Sequence, residues 1–337
     1  MALVDNMAAW HPTVSIVLPA LYERRFMRDC LDSLLAQDDG RIVEILVVDG
    51  GSTDGTRAIV EAAGDPVRLV DNPRVTAAAA MNIGLAEAKG DVICRADAHT
   101  LYAPDFVRRN VDVLAETGAD NVGGPMVPVG TTSFGRAVAA VTSSPFGVGP
   151  GRFHYATVRS EVDTVYLGCW RRETLEALGG WDESRLQWAA EDQELNFRIR
   201  QRGGRIVLDP SIRSWYFPRE APRALRRQYF NYGVAKASTL AKHHSLPTWR
   251  PLAPAALVAA TVLAFLGGKR TRLAIPLLHS ALCAAEAARI GRRPGVAPHR
   301  ALAVLLVCHW SYGCGFWAGI ARLVTGRRFD TRPEAHR

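Results

Sequence analysis

Residues 42–56 read IVEILVVDGGSTDGT, an almost unbroken apolar run that ends on Asp49 and passes straight into a turn of Gly, Ser, Thr and Asp. A short apolar run bounded by turn residues predicts a strand buried on both faces, and the small residues after it open a helix. Outward from this stretch the pattern repeats. Residues 14–18 (VSIVL) make a second apolar strand, and residues 24–36 place Phe26, Cys30, Leu31, Leu34 and Leu35 on one helical face. Residues 68–70 and 91–95 add strands, with a helix over 77–88 between them. Strand and helix in alternation predict an α/β fold with a mostly parallel central sheet and helices on both faces. Ligands of such sheets lie beyond the carboxyl ends of the strands, so residues 19–23, 49–54, 71–73 and 97–99 are where chemistry is expected.

The 337 residues are 48% hydrophobic and 22% charged, which excludes a disordered or collagen-like chain. The formal charge of +8 is unevenly placed. Residues 250–337 carry 13 basic and 3 acidic side chains, and the remainder carries 28 and 30. The basic quarter is also the apolar one, which points to an anionic membrane surface and away from nucleic acid. Six cysteines, at 30, 94, 169, 283, 308 and 314, form no CxxC pair and sit in apolar segments, so they are expected to be reduced and buried. The N-terminus lacks the basic start and unbroken apolar stretch of a secretory signal, so residues 1–249 are expected in the cytosol.

Between about 120 and 150 the pattern loosens into a Gly- and Pro-containing stretch. Order returns at 162–170, with a helix over 191–202, a strand over 205–208 and a basic helical segment over 225–242. Beyond Pro251 the chain becomes apolar. We expect a catalytic domain over 1–245 and a membrane-associated helical region over 246–337, with candidate spans near 252–268, 273–290 and 301–321. A soluble helical subdomain is the alternative. Arginines flank every segment, so charge does not fix their orientation.

Four groups of residues carry candidate chemistry. Glu23, Asp49 and Asp97 stand at strand ends, where carboxylates supply acceptors to a base or ribose and hard ligands to a metal-bound diphosphate. No GxGxxG follows the first strand and no GxxxxGK[ST] occurs, so phosphate charge must be met by a metal or by arginine. Asp97 and His99 alternate along an extended segment and can face one ligand, and an imidazole there suits manganese better than magnesium. Glu191, Asp192, Gln193 and Glu194 open an amphipathic helix, where a carboxylate serves either as a dipole complement or as a base. Residues 226–233 (RRQYFNYG) interleave basic and aromatic groups ahead of the apolar region, suited to a diphosphate or to a membrane surface.

In order and spacing these pieces resemble the family 2 inverting glycosyltransferases of the GT-A fold. The likeness rests on Val17-Leu18-Pro19, on VVDGGSTDGT over 47–56, and on Asn82-Ile83-Gly84-Leu85 ahead of Gly90-Asp91. It is nearer still to the ExoA-type enzymes of succinoglycan and other exopolysaccharide assembly. Here it rests on RADAHT (95–100), SSPFGVG (143–149), DTVYLGCWRRE (163–173) and RQYF (227–230), and it covers about 12–250.

The resemblance implies a nucleotide sugar donor, a uridine diphosphate hexose, bound by Pro19, Glu23, Asp49, Asp54, Asn82 and Asp97. It implies Asp97 and His99 at a Mn²⁺ or Mg²⁺ site and Asp192 as the general base. Glu191, Arg227, Gln228 and Tyr229 would serve the diphosphate and the acceptor. His99 departs from the family pattern, which has Asp there. The implied acceptor is a sugar on a polyprenyl diphosphate at the cytoplasmic face of the inner (plasma) membrane. Bare polyprenyl phosphate is the alternative acceptor, and a non-catalytic membrane scaffold is an alternative of another class.

Overall fold

A computed structural model describes residues 10–149, 151–184, 190–244, 249–266 and 272–326. The chain forms two compact units. The first takes in the chain up to Met126 and again Tyr155–Tyr216, and the second takes in Val127–His154 and the described residues from Phe217 onward.

The first unit opens β1 (Val14–Ala20), α1 (Arg24–Leu35), β2 (Ile42–Asp49), α2 (Thr56–Glu61), β3 (Val67–Asp71), α3 (Ala77–Glu87) and β4 (Val92–Arg95). After these come β5 (Thr100–Tyr102), α4 (Phe106–Thr117) and β6 (Asn121–Gly124), and β7 (Met126–Pro128) lies where the chain passes to the second unit. The second unit then adds α5 (Ser133–Thr142) and α6 (Pro145–Val148). On its return the first unit adds β8 (Ser160–Glu161), β9 (Tyr166–Arg171), α7 (Arg172–Leu178), α8 (Glu191–Gln201), β10 (Ile206–Leu208) and β11 (Ser214–Tyr216). The chain ends with α9 (Pro222–His243), α10 (Ala253–Leu266), α11 (Ala274–Ile290) and α12 (Pro298–Thr325) in the second unit.

The large sheet runs β3-β2-β1-β4-β9-β6-β10-β8. Its first four strands are parallel, as the sequence predicts, and β9 enters antiparallel between β4 and β6. The central strands are apolar and buried on both faces, with Ile16, Leu18, Ile45, Val47 and Cys94 in one core with Met27 and Leu31 of α1. That double burial is why these strands show no polar alternation. Register places Ala20, Asp49 and Asp71 side by side at the carboxyl edge, and pairs Val17 with Arg95. α3 closes on β1 through Gly84, where a Cβ would stand 2.3 Å from Val17 Cγ1.

The second unit is helical. α5, α9, α11 and α12 share a core of Val138, Val141, Leu225, Tyr229, Cys283, Val304, Leu305 and Cys308. α9 and α12 cross closely because each offers glycine at the contact: a Cβ on Gly233 would lie 2.1 Å from the Tyr312 carbonyl oxygen, and one on Gly315 2.0 Å from that of Phe230.

Two expectations need correction. The stretch after residue 120 is more ordered than its glycines suggest, because Thr132 caps α5 by accepting from the Gly135 N–H. Cys314 is exposed on the outside of α12, while the other five cysteines are buried, and all six are free. Among the described residues α12, with 28, is the one helix long and apolar enough to cross a bilayer. The other two candidate spans coincide with α10 and α11, whose described residues number 14 and 17.

Candidate functional site

The loop after β2 is held by its own carboxylates. Asp49 Oδ2 accepts from the backbone N–H of Gly51 (2.9 Å) and Ser52 (2.8 Å) and from Arg57 Nη1 (3.1 Å), and Oδ1 accepts from the Ser52 hydroxyl at 2.5 Å. Three of these donors share Oδ2 and one meets Oδ1, so an acceptor position remains on Oδ1. Arg57 also pairs with Asp71, tying the ends of β2 and β3 together. Asp54 accepts from the Thr56 hydroxyl and N–H and from the Arg24 N–H, so it joins this loop to the start of α1. Burial acts to raise the Asp54 carboxyl, but these hydrogen bonds outweigh it and hold the group below the usual range. Tyr22 and Val75, each just past a strand end, adopt left-handed backbone with φ of 57° and 66°. For a β-branched valine this conformation is strained, and strain of this kind gathers at binding edges. The Asn72 side chain sustains it by accepting from the N–H groups of Arg74 and Val75.

Past β4 the chain turns through Asp97-Ala98-His99. The Tyr102 hydroxyl pins this turn, accepting from the Asp97 N–H at 2.7 Å and donating to the Asp97 carbonyl at 3.1 Å. His99 Nδ1 lies 3.4 Å from Glu23 Oε1, and its ring meets Tyr216 edge-on at 5.3 Å. His99 and Glu23 are thus neighbours, while Asp97 and His99 are joined by a turn and not by the extended segment their alternation predicts. Pro19 is part-buried in β1 beside Val48.

Arg95 is the residue the sequence reading missed. Its guanidinium, with the side chain 10% exposed, reaches three carboxylates: Nε donates to Asp97 Oδ1 at 3.1 Å, and Nη1 donates to Glu191 Oε1 at 2.9 Å and to Asp192 Oδ2 at 2.5 Å. Burial acts to discharge this arginine, and the surrounding carboxylates overcome it, holding the cation more firmly than an exposed one. Burial pushes the Glu191 carboxyl upward, Arg95 opposes that rise, and the neighbouring Asp192 adds to it. The other oxygen of Asp192 accepts from Trp181 Nε1 at 2.9 Å. Trp181 packs edge-on against buried Trp170, and its backbone is gripped by Asn82. Asn82 Nδ2 donates to the Trp181 carbonyl and to Glu183 Oε1, and its Oδ1 accepts from the Trp181 N–H. Asn82 therefore bears on Asp192 through Trp181. Ala190, at the start of α8, has φ of 65°, a third strained residue at this edge.

Carboxylate oxygens with one imidazole make a donor set that fits Mn²⁺ and tolerates Mg²⁺. Among the hydrogen bonds described, the Asp97 carboxylate is engaged through Oδ1 alone. Arg227, Gln228 and Tyr229 lie on α9 in the second unit. There Gln228 Nε2 donates to the Tyr232 hydroxyl at 3.0 Å, and Tyr229 is buried in the helical core. No simple sequence signal marks Arg95 or Trp181, since their partners stand far along the chain.

Comparison with known proteins agrees with this architecture. The sequence model of Glycosyl transferase family 2 matches residues 15–155. The chain is 32% identical over 310 residues to the succinoglycan biosynthesis protein ExoA of Rhizobium meliloti (strain 1021), covering 90% of this chain and 93% of that protein. It is 24% identical over 252 residues to a dolichyl N-acetyl-α-D-glucosaminyl phosphate 3-β-D-2,3-diacetamido-2,3-dideoxy-β-D-glucuronosyltransferase of Methanococcus voltae, covering 70% and 76% of the two chains. Among solved structures, the mannosyltransferase PcManGT of Pyrobaculum calidifontis, in complex with GDP-Man and Mn²⁺, superposes with a TM-score of 0.57 at 23% identity over 89% of this chain and 86% of that one. S. aureus TarS 1-349 in complex with UDP-GlcNAc gives 0.52 at 16% identity over 94% of each chain. The fold is thus of the GT-A class.

Proposed function

The chain belongs to glycosyl transferase family 2 and is a glycosyltransferase, and on that premise we propose that it moves a hexose, with inversion, from a uridine diphosphate sugar to a lipid-linked saccharide. Asp192 takes the proton from the acceptor hydroxyl as that oxygen attacks the anomeric carbon, opposite the departing diphosphate. A base so positioned contributes about 10²–10⁴ in rate. The observation that carries the reading is the convergence of Asp97, Glu191 and Asp192 on the Arg95 guanidinium. It supports one continuous site in which the diphosphate end, at Asp97, and the base share an orienting cation.

Arg95 and Trp181 hold Asp192 through one hydrogen bond on each oxygen. A carboxylate has about four acceptor positions, so lone pairs remain for the acceptor hydroxyl. Asp97 and His99 would hold a divalent cation, Mn²⁺ or Mg²⁺, which when bound offsets the charge of the leaving diphosphate. Asp49 and Asp54 shape the loop that receives the nucleoside, and of the donors on Asp49 the Arg57 guanidinium is the one a ribose or base can replace. On this reading Pro19 and Glu23 line the same edge.

A membrane-held acceptor is supported by the second unit. Val262, Leu263 and Leu266 of α10, Leu277, Leu278 and Leu282 of α11, and Trp317 and Val324 of α12 are all exposed. Large apolar side chains clustered in this number are characteristic of a lipid or protein contact, and the basic balance of the same region suits anionic lipid. We place the catalytic part, residues 1–245, on the cytoplasmic side of the inner membrane. The test is incorporation of label from a panel of nucleotide sugars into native membrane lipids, with Mn²⁺ or Mg²⁺. Label from a uridine diphosphate sugar in a diphosphate-linked saccharide fraction supports the proposal, and label confined to a lipid monophosphate sugar replaces the acceptor with bare polyprenyl phosphate.

A further inference from the structure

α11 and α12 bring together three side chains that the proposed transfer reaction does not use. His279 and Cys283 are four residues apart and share one face of α11. His309 meets them from α12. His279 Nε2 lies 3.0 Å from His309 Nδ1, and the Cys283 sulfur lies 3.4 Å from the first and 4.0 Å from the second. The cysteine is wholly buried and both histidines are part-buried.

These spacings are short enough for one metal ion to reach all three donors. With bonds of about 2.05 Å to nitrogen and about 2.3 Å to sulfur, they subtend roughly 94°, 103° and 134° at a central ion. The three angles total about 330°, against about 328° for three angles of a tetrahedron. An ion bound here would stand out of the plane of its three protein donors and keep a fourth position open.

The surroundings orient the donors in the same sense. His309 Nε2 is 3.0 Å from the Phe146 carbonyl oxygen. A carbonyl only accepts, so Nε2 carries the proton and Nδ1 turns its lone pair toward His279 and Cys283. A metal-bound imidazole characteristically donates its far N–H to a carbonyl in this way. The Phe146 ring meets the His309 ring at 5.4 Å, and Trp310 stands at 90° to His279 at 5.8 Å, so aromatic walls restrict both rings. His279 Nδ1 is buried with no hydrogen-bond partner among the described residues. Two imidazoles converging on a thiol inside apolar helices are costly unless they are used.

We infer that His279, Cys283 and His309 form a zinc(II) site that ties α11 to α12, separate from the divalent cation of the transfer reaction. One thiolate with two neutral imidazoles is a zinc donor set, unlike the oxygen-rich set that suits magnesium or manganese. Binding releases the Cys283 proton to solvent and forms one metal–sulfur and two metal–nitrogen bonds, with water in the fourth position. The inference is independent of the reaction assigned to the first unit.

The test uses the full chain in detergent, stripped with chelator and then titrated with Zn²⁺, with Co²⁺ as a spectroscopic probe. The expected result is one zinc per chain retained through gel filtration, and a near-ultraviolet thiolate-to-cobalt charge-transfer band that zinc displaces. Cys283→Ala and His309→Gln each bring bound zinc to near zero and abolish the band. Cys314→Ser, which removes the exposed thiol, and Asp97→Asn, in the first unit, keep both signals. Circular dichroism of the metal-free proteins checks that each variant folds, and His279→Gln substitutes for any that does not. No zinc retained by the wild type overturns the inference, and so does a band that survives Cys283→Ala.

Discussion

Replacing Arg95 with methionine keeps much of the side-chain volume and removes the charge that three acids share. Its hydrogen bonds to Asp97, Glu191 and Asp192 measure 3.1, 2.9 and 2.5 Å, and its side chain is 10% exposed. Each bond to a charged partner contributes about 1.5–3 kcal/mol net. The loss is less than three such terms, because the stranded Glu191, already raised by burial, can take up a proton. Breaking a buried ion pair from one side typically costs about 3–5 kcal/mol, which for a domain of this size lowers Tm by roughly 6–20 °C. The sign of the pH dependence follows from Glu191. Burial already raises its folded pKa, and loss of Arg95 removes the influence that opposes the rise. A carboxyl raised in the folded state contributes stability at low pH that is lost as pH climbs through the folded value. The Arg95→Met deficit is therefore smaller near pH 5 than near pH 8, and Arg95→Met with Glu191→Gln recovers at least about 1 kcal/mol of it. Thermal unfolding of the single and double variants measures both effects. An Arg95→Met protein that melts with the wild type at both pH values, and transfers sugar at the wild-type rate, refutes this account of the cluster.

Other perturbations test neighbouring parts of the argument. Trp181→Phe keeps the ring packing against Trp170 but removes the N–H that meets Asp192. We expect kcat to fall about tenfold with little change in donor KM, and an unchanged kcat removes Trp181 from the positioning role. Glu44 accepts from the Ser15 hydroxyl, the Lys89 N–H and Arg68. Burial acts to raise its carboxyl and these partners more than offset that, so its folded pKa is lowered. The stability it supplies is present above the unfolded pKa and lost as pH falls through the folded one. Glu44→Gln should cost about 1–3 kcal/mol near neutrality, with the gap closing in acid. Gly315→Ala should lower stability in detergent by about 1–3 kcal/mol, because the new Cβ meets the Phe230 backbone and not a side chain that can turn aside. An unchanged melting temperature would show that α9 and α12 separate without cost.

What could be read in the sequence was what is local. β1 to β4 are legible because each is an apolar run closed by turn residues, and the acids that follow them fall at one edge of the sheet in the structure. α4 is less conspicuous, although Phe106, Val107, Val111 and Leu114 recur at helical spacing, because Asn110 sits within that buried face. Asn110 is accommodated there by donating to the Phe106 carbonyl. α5 is hidden by the glycines and prolines around it. Arg95 reads as the polar end of a strand, and nothing local reveals that its partners, Glu191 and Asp192, stand 96 and 97 residues away. Asn82 belongs to a recognisable motif, yet its contact with Trp181 and Glu183 depends on a loop about 100 residues further on. The pairing of His279 with His309 is equally silent, since a histidine in an apolar helix shows its partner only once the helices pack.

The central claim is that Asp192, held by Arg95 and Trp181, is the base of an inverting sugar transfer. The most direct measurement is the transfer rate of folded wild-type and Asp192→Asn protein from a labelled uridine diphosphate sugar, with the anomeric configuration of the product read by NMR. The account predicts a product inverted relative to the donor and a rate about 10²–10⁴ lower in the variant. Wild-type turnover by Asp192→Asn, or a product that retains the donor configuration, contradicts it.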